Sequence, residues 1–151
     1  MNYRGLLIFA LLLLAFPFAI AAESAESYDD FRIEGLAYDA AVPTPEAVLG
    51  HQLGKAPVRH HKLIEYIQRV AEASPRMTVE TIGYTHERRP ILFVVVTSPE
   101  NHARLAEIRA AHLAISEPGS GKVPEAGMPV VTWLNYGVHG AEASGMDAAL
   151  P

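Results

Sequence analysis

Residues 130–145, V-V-T-W-L-N-Y-G-V-H-G-A-E-A-S-G, constrain the fold more than any other part of the chain. Val130, Val131, Trp133 and Leu134 form a short apolar, β-branched and aromatic run behind Pro129, the pattern of a buried strand. The run opens into a loop punctuated by Gly137, Gly140 and Gly145 that carries His139 and Glu142. A buried strand ending in such a loop delivers its polar residues to a sheet edge, where α/β enzymes place their chemistry.

Within this loop an imidazole and a carboxylate stand three residues apart, and both can approach one ion. Neutral imidazole and carboxylate bind zinc at roughly 2.0–2.2 Å. Glycines let the backbone take φ > 0, so two ligands can converge from one turn. The same pattern also suits a plain turn braced by a surface contact, and the pair alone leaves both readings open.

The N-terminus limits where such a site operates. Arg4 supplies a positive start, residues 6–16 an apolar core, and Ala19-Ile20-Ala21 a small-x-small cleavage site, so residues 1–21 read as a secretory signal peptide. Pro17 interrupts the apolar run and no positive cluster follows it, which argues against an uncleaved anchor. The expected product is exported, periplasmic or secreted, with no stable membrane association after cleavage. Cleavage removes Arg4 alone among the charges, making the net charge of -5 one unit more negative. Nucleic acid and anionic membrane surfaces are poor partners for such a chain. There are no cysteines, which excludes disulfides, a cysteine nucleophile and a thiolate zinc site, and leaves oxygen and nitrogen chemistry.

Residues 22–37 read as a disordered, acidic lead-in. Residues 38–54, with two prolines and two glycines, suggest an extended surface strap with one turn of helix over 45–49, capped by Thr44. Leu63, Ile64, Ile67, Val70 and Ala71 follow three-four spacing and predict an amphipathic helix over 58–73, stopped by Ser74-Pro75. His61 and Glu65 lie four apart on it, a spacing more typical of a solvated contact than of a ligand pair. Residues 77–85 and the apolar block 91–97, joined by His86-Glu87-Arg88-Arg89-Pro90, predict an antiparallel hairpin with a central second strand. The paired arginines read as a solvated hairpin tip. Ser98-Pro99-Glu100 opens a helix expected to run to about residue 114. A loop rich in glycine and proline follows over 116–129, then the strand 130–134, and a helix expected from Glu142 to Leu150. This alternation predicts an α/β fold, a sheet layered with helices.

Several of these segments together resemble the zinc carboxypeptidases of the M14 metallopeptidase family. They are Y-D-A-A-V-P-T-P-E-A-V-L-G at 38–50, R-H-H at 59–61, R-R-P-I-L at 88–92, S-P-E-N at 98–101 and G-V-H-G-A-E-A-S-G at 137–145. The similarity extends over residues 38–151. It implies a mixed β-sheet flanked by helices, incomplete at the C-terminus, with residues 38–151 as the N-terminal part of the catalytic domain. It implies that His139 and Glu142 are the first two ligands of a single Zn2+. The third ligand and the glutamate acting as general base are expected beyond Pro151, so the polypeptide as given should be a poorly active fragment. Substrates would be peptides or proteins. Some relatives carry a substrate-binding arginine between the two ligands; Ala141 stands there in this chain. Two alternatives remain: an N-acyl amino acid hydrolase of the same superfamily, which shares H-G-x-E-x-x-G, and a non-catalytic exported binding module.

Overall fold

The structure, a computed structural model, describes residue 27 and residues 32–150. The expected signal peptide at 1–21 lies outside the described residues, as does most of the lead-in at 22–37. The first element, α1 (Pro45–Leu49), forms because its ends are locally specified. The Thr44 hydroxyl accepts from the Ala47 N–H at 3.3 Å, and Gly50, at φ 79°, closes the other end by donating to the Glu46 carbonyl at 2.9 Å. The expectation of a surface strap does not hold for this turn, because Pro45, Val48 and Leu49 are buried. Five residues have little face of their own, but a neighbouring helix can cover all three of these side chains.

That neighbour is α2 (His60–Ala73), as the spacing predicted. It packs Tyr66 with Leu63, Ile67 and Val70 against Val48, Leu49, Leu53 and Val58. Leu150, only 2 % exposed, closes the same cluster from the far end of the described chain. Lys62 adds a polar tie by donating to the Val48 carbonyl at 3.4 Å.

The hairpin is also present, with β1 (Met77–Tyr84) antiparallel to β2 (Pro90–Val96) and Met77 opposite Val96. A register shift between Thr81 and Gly83 leaves Ile82 outside the ladder. At the tip the Arg88 N–H donates to the Thr85 carbonyl at 2.9 Å and the Thr85 N–H to the Arg89 carbonyl at 2.8 Å. This tight reversal puts Arg88 at φ 63°, a left-handed position usually filled by glycine.

Three further expectations need correction. The helix after Ser98 is broken into α3 (Pro99–His102) and α4 (Leu105–Ser116), because Arg104 leaves helical geometry at φ -126°, ψ 25°. Residues 130–134 form no strand, and Val130, Val131, Trp133 and Leu134 are exposed. An apolar run becomes a buried strand only when neighbours pair its backbone and cover its faces. Here its ring contact is a tilted approach of Trp133 to Phe93 of β2, centroids 5.8 Å apart. Finally, the expected helix over 142–150 is reduced to one turn, α5 (Ser144–Asp147). The result is a small α/β arrangement whose sheet, among the described residues, has two antiparallel strands. No helix among the described residues is long and apolar enough to cross a membrane.

Candidate metal centre

His139 and Glu142 lie on the loop between the 130–138 run and α5. Gly137 turns the chain at φ 72°, and the Glu142 N–H donates to the His139 carbonyl at 3.1 Å, so the backbone between them is one closed turn. This turn brings the two side chains to the same side. His139 Nδ1 lies 3.1 Å from Glu142 Oε1, within hydrogen-bonding distance, with the imidazole N–H as donor when Nδ1 carries the proton.

The donor set fits zinc. Two ligand atoms bound at roughly 2.0–2.2 Å to one tetrahedral ion stand roughly 3.3–3.6 Å apart, a few tenths of an ångström wider than the 3.1 Å found here. The side chains are 69 % and 63 % exposed, so an ion can reach them from solvent. The surrounding surface is a shallow, open depression lined by Asn135, Tyr136 and Ser144 together with the pair and its glycines. The turn therefore presents two side chains of zinc-binding type, with no group of three such side chains among the described residues.

Other histidines serve the backbone. His60 Nε2 meets the Pro90 carbonyl at 3.2 Å, His102 Nε2 the Arg76 carbonyl at 3.0 Å and His112 Nε2 the Pro129 carbonyl at 2.8 Å. Glu65, four residues from His61 on α2, is engaged by cations of its own helix. It bridges Lys62 at 2.9 Å and Arg69 at 2.7 Å, and the hydrogen bond from Lys62 holds its carboxyl below the usual range. At the hairpin tip Arg89 pairs with Glu87 at 2.7 Å, which accords with a solvated turn.

Two features of the centre had no signal in the sequence. A Cβ added at Gly145 would sit 3.0 Å from the Gly137 nitrogen, so the loop's two ends touch backbone to backbone. Asp147 Oδ1 accepts from the Val58 N–H at 3.0 Å across 89 residues of chain. Neither contact follows a local spacing rule, because each depends on where distant segments arrive.

Residues 63–151 match the family model described as Peptidase M14, zinc carboxypeptidase. The match starts inside α2, spans the hairpin and takes in both His139 and Glu142. No curated protein and no solved structure matches the chain.

Proposed function

The chain belongs to the zinc carboxypeptidase family, and from that premise we propose that His139 and Glu142 are two ligands of the zinc that serves hydrolysis of C-terminal peptide bonds. The observation carrying this reading is the 3.1 Å approach of an imidazole nitrogen and a carboxylate oxygen on one glycine-bounded turn. When bound, zinc would activate a water molecule and polarise the peptide carbonyl. His139 and Glu142 hold and orient the ion, and the exposed depression admits a peptide end. In this reading the third ligand and the general base come from beyond Pro151, and a mixed sheet forms once the 130–134 run gains strand partners. The Trp133 ring against Phe93 supports the latter, since it already lays that run beside β2. Residues 38–151 act as the N-terminal part of the catalytic domain, supported by a core that joins Val48 to Leu150. Export to the periplasm or medium rests on the charge and apolar pattern of residues 1–21.

Zinc stoichiometry tests the proposal. The purified 151-residue polypeptide should take up one zinc weakly and exchangeably, and His139→Ala should abolish uptake. With two ligands it should show no appreciable carboxypeptidase turnover. Strong chelator-sensitive turnover by this polypeptide would overturn the two-ligand reading. The 3.1 Å bond also suits a loop braced without metal. Uptake unaffected by His139→Ala, or no uptake at all, would favour that second reading. Within the zinc reading, assay of a longer form on C-terminal peptide bonds and on N-acyl amino acids separates peptidase from acyl-amino-acid hydrolase.

A further inference from the structure

We propose that Asp147 is a positioning residue for the His139–Glu142 pair, holding the metal-binding turn in place by fastening it to the start of α2. The inference rests on the zinc reading above and concerns how two exposed side chains keep a ligand geometry. Their mutual contact is too weak to do so, since exposed ion pairs contribute about 0–1 kcal/mol. The glycines of the turn make disorder easy, because they have the most conformational freedom to lose on ordering.

Two contacts outside the pair supply the order. Gly145 lies against Gly137 so closely that a Cβ would meet the Gly137 nitrogen at 3.0 Å and its Cα at 3.3 Å. This closes residues 137–145 into a ring with the pair inside it. Two residues later, the Asp147 carboxylate accepts from the Val58 N–H at 3.0 Å. Val58 is 3 % exposed and belongs to the core with Leu49, Leu53 and Tyr66. The ring is thereby attached to the most firmly packed part of the molecule, and Leu150 repeats the attachment three residues on.

Asp147 lies in the single turn of α5, and its carboxylate reaches beyond that turn. Its carboxylate is explained by the Val58 N–H, a buried donor that needs a partner. A charged acceptor also gives the stronger kind of hydrogen bond. Upstream, His112 holds the Pro129 carbonyl at 2.8 Å, so the stretch bearing the pair is fastened at both ends and exposed between them.

The test compares Asp147→Ala with Asp147→Asn, which retains an Oδ1 acceptor. Zinc affinity is measured by calorimetry, and amide hydrogen exchange at Glu142 is measured on the metal-free protein. Asp147→Ala should weaken zinc about tenfold, the scale of one lost charge-assisted hydrogen bond that orders the turn, and should speed Glu142 exchange. Asp147→Asn should restore both to near the parent values. Unchanged zinc affinity in Asp147→Ala overturns the proposal, whether or not exchange is faster. If the parent binds no zinc while Glu142 exchange still responds to Asp147→Ala and recovers in Asp147→Asn, the zinc reading falls and the fastening of the turn stands. Should Asp147→Ala fail to fold by circular dichroism, Asp147→Ser carries the test, since its shorter side chain keeps a polar group there without the reach to the Val58 N–H. Parent-like zinc affinity and exchange in that variant would overturn the proposal.

Discussion

The helical pair α1 and α2 and the run 130–138 are both apolar in sequence, yet they end in opposite environments. Leu49 and Tyr66 are 8 % and 9 % exposed, whereas Val130 and Leu134 are 89 % and 67 % exposed. The difference lies in the backbone. A helix pairs most of its own N–H and C=O groups, so α1 and α2 need only one face each to make a core. A strand has no such internal solution and must borrow donors and acceptors from neighbours. No backbone–backbone hydrogen bond joins residues 130–138 to the rest of the described chain. Hydrophobicity marks both regions for burial, but the run without backbone partners stays exposed.

This contrast can be broken by mutation. The largest effect is expected for Leu150→Ala, which opens a cavity beside Val58 and Tyr66 and should cost about 2–5 kcal/mol in denaturant unfolding; a loss under about 1 kcal/mol would mean the packed region is not packed. Thr44→Ala removes the α1 cap and should cost about 1 kcal/mol, with a matching fall in melting temperature. Trp133→Ala, on the exposed run, loses its contact with Phe93 and should cost less than about 1 kcal/mol, below the usual upper range for an aromatic pair. If calorimetry gave Trp133→Ala a cost equal to that of Leu150→Ala, the two regions would be energetically alike and the comparison would fail.

The smallest effect is electrostatic and confined to the packed side. The Lys62 hydrogen bond, aided by Arg69, depresses the Glu65 carboxyl below its ordinary value of 4.5. A depressed carboxylate contributes stability above its unfolded value and loses it as pH falls through the folded one. The parent should therefore exceed Glu65→Gln slightly at neutral pH, and the two melting curves should converge below pH 4.5. Divergence that grows on acidification would show the opposite sign and exclude this account.

Local rules carried much of the reading. The Thr44 cap, the α2 spacing with its stop at Ser74-Pro75, and the hairpin around Arg88 are each set by residues within a few positions of one another. The Ser98 cap was legible for the same reason, although the break at Arg104 was not. The burial of α1 was missed because its cover comes from α2. The strand at 130–134 was expected from composition, which cannot say whether partners are present. His139 and Glu142 could be singled out by residue type and glycine spacing, but the Asp147–Val58 bond could not, since 89 residues separate its ends.

The sequence by itself determined the elements whose stabilising contacts are short-range: α1 with its Thr44 cap, the amphipathic α2, one hairpin, and a glycine turn bearing an imidazole and a carboxylate. It also determined the family, through ordered segments matched over 63–151. Only the tertiary structure decided that Leu150 and Asp147 fasten that turn to a core made from the other end of the chain, and that the run leading into it stays exposed. Both outcomes depend on which distant groups meet, and neither hydrophobic period nor capping chemistry encodes a meeting across so many residues.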